Sequence, residues 1–320
     1  MRAGAFGLVL MALLAAGPSR AQVALAPAAD QADPNGVLVE ELVVTARERG
    51  PAFWRVSDAD SVVYVLGIPS VGLKGLEWDQ SGLERRLNGA NLVILPFTEL
   101  KVGVLGAPGA LISLMRLRWN KPYEEALPPD LRSRFVAART RLGRPAKDYK
   151  TNNGIAAGLL LVSHYRDFAH LSAADPAKTI RRMAQARKIK VEQKAYSFGP
   201  LIGGLVRASG AAQRACLEDA LDEVEGGAEA ARRAGAGWAQ GDVRAALSAE
   251  RGFEKCLAAA PGGSAFDARI KADQAAAIVR ALKTPGHAVA VVPLRPLLAQ
   301  GGVLDRLRAQ GFDVMTPGDD

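Results

Sequence analysis

Three histidines and two cysteines are all that the 320 residues contain, and aromatic side chains make up only 6% of them. So few thiols exclude a disulfide-dense small scaffold and a zinc module with four thiolate ligands, and so few imidazoles leave little for a histidine-rich metal site. The 33 glycines and 18 prolines stand only modestly above ordinary usage, which excludes collagen-like or largely disordered composition. Beyond residue 21 no run approaches 18 consecutive apolar residues, so the sequence predicts no transmembrane segment in the mature chain. What is present is a 49% hydrophobic, 23% charged chain with a formal charge of +8, long enough for one large domain or two small ones with a real core.

The N-terminus reads as a secretory signal over residues 1–21. Arg2 supplies a positive start, and residues 3–17 form an apolar Leu/Ala-rich run too short to span a bilayer. Small residues at Ser19 and Ala21 place the expected cleavage between Ala21 and Gln22. The mature protein is therefore expected in the periplasm or secreted, where a disulfide can persist. Cys216 and Cys256 lie 40 positions apart across a helical stretch. A bridge between antiparallel helices, worth roughly 4 kcal/mol by loop entropy, and a pair of buried free thiols both fit that spacing.

Residues 22–50 read as a flexible leader, rich in Ala, Pro, Asp and Gln at first. Within it, the acidic pair and β-branched run of residues 39–48 resemble a TonB box, an extended peptide that adds a strand to a partner's sheet edge, and an ordinary first strand looks the same. Residues 51–320 read as one domain. Its core is expected from residues 51–100 and 286–316, with residues 101–285 as a helical cap. Phe53 to Ser57 and Ser61 to Leu66 flank the turn signal Asp58-Ala59-Asp60 as a hairpin. Ser81 and Glu84 have the spacing of a capping box, and Asn91 to Leu95 is an apolar strand stopped by Pro96. Ala288 to Leu294 and Phe312 to Met315 repeat the strand pattern around a short helix. Between them the chain is mostly helix, interrupted by one strand at Ile189 to Glu192. The fold class is α/β, with strands from both chain ends and a large helical insertion.

Charge is uneven over this plan. Residues 116–194 hold 18 Lys or Arg against 7 Asp or Glu, so that stretch carries +11, while the rest of the mature chain sums to −5. A basic face in the envelope fits an anionic envelope ligand or an unidentified protein partner, or is simply a solvated helical surface. The export signal and the lack of aromatics among the basic residues argue against nucleic acid.

Several short motifs then align in order. They are Phe53-Trp54-Arg55-Val56 before Val63-Tyr64-Val65-Leu66-Gly67, then Trp78 with the segment to Asn91-Leu92-Val93-Ile94-Leu95. Trp238-Ala239-Gln240-Gly241-Asp242 follows, and Gly302-Val303-Leu304 with Gly311-Phe312-Asp313-Val314 closes the series. Over residues 53–315 the chain resembles the TraB/GumN family, which includes the Tiki-type metalloproteases. That resemblance implies a divalent-metal hydrolase site, with one histidine from each of two GxxH motifs and a glutamate ending the strand between. Metal held in that way acidifies bound water and polarises a carbonyl.

All three of those positions are changed here. The first motif reads Gly67-Ile68-Pro69-Ser70, the glutamate position is Pro96, and the second motif reads Pro293-Leu294-Arg295-Pro296. Proline offers no donor atom and a neutral serine hydroxyl is a weak ligand, so no metal cofactor is expected. His287 precedes its strand by more than roughly 20 Å from the carboxyl end. His164 and His170, six apart on a predicted helix, face different sides. Three function classes follow: a catalytically degenerate pseudoenzyme that binds or interacts in the envelope; a metal-dependent or serine-type hydrolase using Ser70, Glu192 and Arg269; and a TonB-linked or polysaccharide-related accessory protein. Glu192 and Arg269 are expected either as a buried ion pair or as residual site groups, and Arg295 as positive charge in a cavity that prefers anions.

Overall fold

A computed structural model describes residues 33–97, 100–101, 112, 115–118, 120–172, 175–197, 199–249 and 251–319. The expected signal segment, its cleavage point and the leader up to residue 32 lie outside the described residues.

Six strands form a mixed sheet: β1 (Phe53–Ser57), β2 (Ser61–Ile68), β3 (Leu92–Leu95), β4 (Lys190–Gln193), β5 (Gly286–Pro293) and β6 (Asp313–Met315). Their spatial order is β6-β1-β2-β5-β3-β4. The β1–β2 hairpin closes on Asp58, whose carboxylate accepts from the Ser61 amide at 3.0 Å and the Ser61 hydroxyl at 2.7 Å. β2, β5, β3 and β4 run parallel, so their carboxyl ends lie along one edge. Central β5 comes from the far end of the chain and sits between β2 and β3, which are contributed by its beginning. Its residues Ala288–Val292 are at most 2% exposed, as expected of a parallel strand covered on both faces. The predicted α/β class with strands from both chain ends is the observed one.

The main core packs the sheet against the helices Ser81–Leu87, Asp175–Ala186, Gly263–Leu282 and Val303–Ala309. A second core lies among the helices Pro129–Arg141, Gly154–Phe168 and Gly210–Gly226, around the fully buried Phe135, Tyr149 and Leu161. Pro129 opens its helix, and Gly143 ends the turn after it at φ +67°, a conformation that favours glycine. The positive charge of residues 116–194 is partly matched across this layer. Arg134 holds Asp222 and Glu225, each at 2.7 Å, and Arg166 meets buried Glu223 at 3.3 Å.

Three local expectations need correction. Ser81 is the first helical residue rather than a side-chain cap, and its amide instead donates to Asp79 Oδ1 at 2.9 Å. His170 is not on the helix with His164; it follows that helix in a left-handed turn at φ 53°. Residues 33–50 are not a free leader. Leu42 and Val43 are buried in the main core, the Val39 amide donates to Leu298 O at 2.9 Å, and the Ala46 amide to Gly241 O at 2.9 Å. Residues 39–48 contain the short helical turn Glu40–Leu42 instead of a continuous strand, because Val39, Leu42, Val43 and Ala46, three and four places apart, pack into the core.

Candidate functional site

The carboxyl ends of β2, β3 and β5 open onto one cavity of about 460 Å³. This is where ligands settle in open α/β sheets, since the loops leaving the strands there diverge. Ile68, Pro69 and Ser70 leave β2, Pro96 and Phe97 leave β3, and Pro293 ends β5, with Pro296 on the following helix Leu294–Leu298; all of them line the cavity. The helices Gly252–Ala259 and Gly263–Leu282 add Phe253, Leu257, Phe266 and Ile270, which complete largely apolar walls. Ser70, Pro96 and Pro296, far apart in sequence and standing where the resemblance would put the metal ligands, are thus brought together.

The motif residues around the cavity are scaffold. A Cβ on Gly67 would collide with the Leu294 side chain and come within 2.9 Å of the Trp54 ring, so only glycine lets β2 pass between them. The Trp238 indole donates to Gly67 O at 2.7 Å and stacks edge-on against Trp78 at 5.2 Å between centroids. Asp242 caps the short helix Val243–Ala246 through the Ala245 amide at 2.9 Å. Gly302 leaves no room for a Cβ beside the carbonyls of Ala299 and Pro296.

Three carboxylates stand in the lining, each already matched. Asp33 accepts two hydrogen bonds from Arg251, at 2.5 and 2.9 Å, and Glu254 accepts a third at 3.2 Å. Asp267 pairs with Lys271 at 2.7 Å, and Lys271 also donates to Pro34 O at 2.9 Å. Asn35 donates to Asp267 at 3.0 Å. This clasp fastens residues 33–36 as one wall of the cavity. Burial, the largest single influence, pushes the Asp33 carboxyl up, but the hydrogen bonds from Arg251 and the Asn35 amide together with the Arg251 and Arg295 charges outweigh it and hold the group below the ordinary carboxylate value. Burial, then the neighbouring Arg251 cation, lowers Arg295, which stays charged and donates to Leu247 O at 2.7 Å. No Lys or Arg is among the described lining residues, so the expected anion preference finds no cation there.

The remaining predicted site residues lie apart. Glu192 pairs with Arg280 at 2.6 Å rather than with Arg269, and this pair is on the surface rather than buried. Arg269 reaches Asp273 at 3.9 Å and lies over the Tyr196 ring. His287 sits at the amino end of β5, opposite Val62, with Nε2 3.1 Å from Arg86 O. His164 meets the hydroxyl of buried Tyr149 at 2.8 Å within the helical layer. Burial lowers that histidine's pKa and pushes the tyrosine's up to about 12. None of the three histidines lines the cavity, and no His or carboxylate bonds the Ser70 hydroxyl among the described residues, so a Ser-His-acid relay is not assembled. Cys216 and Cys256 are bridged, their Cα atoms 4.6 Å apart, which ties the cavity-wall helix Gly252–Ala259 to the helix Gly210–Gly226. Sequence reasoning missed the Asp33–Asn35 clasp altogether.

The donor set does not fit a divalent metal. The two prolines carry no side-chain donor, Ser70 alone is a weak ligand, and the nearby carboxylates are engaged by Arg251 and Lys271. No curated protein and no solved structure matches this chain. A family model described as the TraB/PrgY/gumN family matches residues 52–316, which include the sheet, both helical layers and the cavity apart from its wall at residues 33–36, and the chain belongs to that family.

Proposed function

We propose that this protein is an exported, catalytically degenerate member of its family that acts in the cell envelope by binding rather than by hydrolysis. One observation carries the reading: Ser70, Pro96 and Pro296 line the same cavity, and together they supply a single weak donor where the family resemblance calls for two imidazoles and a carboxylate. The surrounding motif glycines and tryptophans keep their packing roles, so the site has changed its chemistry without losing its frame. The positive start, apolar run and small residues of positions 1–21 support export, and a Cys216–Cys256 bridge suits an oxidising compartment.

Elemental analysis of the chain isolated from the envelope fraction, with its N-terminus determined, tests both parts. The reading expects Gln22 as first residue and far less than one bound zinc, manganese or cobalt per chain. A stoichiometric metal held at micromolar affinity or better overturns the binding role, and an intact Met1 overturns export.

A further inference from the structure

The charges and polar atoms of the cavity wall narrow what it can hold. Its acidic side chains are Asp33, Glu254 and Asp267; Arg251 and Lys271 bond all three, and Arg295 behind the wall acts on Asp33 and Glu254 as the third positive charge. A carboxylate or phosphate would enter beside three like charges with no cation in the wall to receive it. An ammonium would find every carboxylate matched. The walls themselves, Ile68, Pro96, Phe97, Leu257, Phe266 and Ile270, call for an apolar body. Two residues of the lining break that pattern. Asn35 is 94% buried and its side-chain Oδ1 has no donor, and Gln274 Oε1 is likewise buried without a partner. Buried acceptors are nearly always satisfied in folded proteins, so two in one cavity wall mark places where a donor belongs.

We propose that the cavity binds an uncharged amphiphile, an alkyl or aryl body with a hydroxyl or amide head that donates to Asn35 and Gln274. This rests on the binding role above and adds the ligand's chemical class. The body fills the space between the carboxyl ends of β2, β3 and β5, and the head meets the clasp and the helix Gly263–Leu282. The same arrangement rejects fatty acids, because their ionised head cannot donate.

The test uses the mature chain and the uncharged fluorophore N-phenyl-1-naphthylamine, displaced at neutral pH by decan-1-ol, decanamide, decanoate or decylammonium, each kept below its micelle concentration. The alcohol and the amide are expected to displace the probe at concentrations at least about tenfold below those of decanoate or decylammonium. Gln274→Leu should shrink that preference to about threefold or less. Equal or better displacement by decanoate or decylammonium, or an unchanged preference in Gln274→Leu, overturns the proposed ligand class. The variant Ile270→Arg, verified as folded by its melting curve, should lose the probe. No probe binding by the unaltered chain, or full binding by folded Ile270→Arg, overturns the binding role itself.

Discussion

At the scale of single residues, two prolines decide what this cavity can do. Pro96 follows β3 and Pro296 sits in the first turn of the helix Leu294–Leu298, both places that tolerate proline, and neither side chain has an atom able to hold a metal or move a proton. Their positions were legible in the sequence because motif order fixes them. Ion-pair partners were not. Arg269 and Arg280 are eleven residues, about three turns, apart on one helix and so face nearly the same way. Only the placement of β4 decides that Glu192 meets Arg280. The clasp was hidden for another reason, since Asp33 and its partner Arg251 are 218 positions apart.

Asp33 also gives a pH dependence with a definite sign. Its carboxyl is held below the unfolded value of about 3.9, so the stability it adds is fully present above that pH and is lost as pH falls through the lower, folded value. Asp33→Asn should cost about 1.5–3 kcal/mol at neutral pH, the scale of hydrogen bonds to a charged group, and progressively less in acid. Denaturant melts of both proteins from neutral pH down to pH 3 check this. A difference that stays constant with pH contradicts the role given to the Asp33–Arg251 pair.

At the scale of elements, strands that are continuous apolar runs bounded by Asp, Gly or Pro were readable with near-correct ends. β2, β3 and β5 have that form, and β1 departs from it only by Arg55 and its terminal Ser57. β4 is more polar, as an edge strand tolerates, and its observed span Lys190–Gln193 is displaced by one residue from the expected one. Residues 33–50 were read with the leader because the stretch before them, rich in Ala, Pro, Asp and Gln, resembles a linker, whereas Leu42 and Val43 fix the segment to the core. The helix Gly252–Ala259 is only eight residues long yet supplies Phe253, Glu254, Leu257 and Ala258 to the cavity. A helix that short has little stability of its own, and the Cys216–Cys256 bridge fastens it to a 17-residue neighbour. The double change Cys216→Ala and Cys256→Ala should therefore lower stability by roughly 4 kcal/mol, measured by denaturant unfolding. It should also raise hydrogen exchange first in residues 252–259. Unchanged protection there would mean the helix is held by packing alone.

At the scale of the whole molecule, the two ends of the chain build one sheet, and the cavity lies where strands from both ends finish. This arrangement explains how Ser70, Pro96 and Pro296, spread over more than 200 positions, come to line a single site. The apolar character of that site was not legible, because its walls come from helices whose facing residues are set only by tertiary packing. The basic surplus of residues 116–194 also changes meaning in three dimensions, where the acidic helix Gly210–Gly226 answers part of it.

The central claim is that this frame converges on a metal-ligand geometry whose donors have been replaced. Titration calorimetry with zinc, comparing the unaltered chain with the triple variant Ser70→His, Pro96→Glu, Pro296→His, tests it most directly. The account predicts about one site of micromolar or tighter affinity in the folded triple variant and none in the unaltered chain. Zinc binding by the unaltered chain, or none by the folded variant, would contradict it.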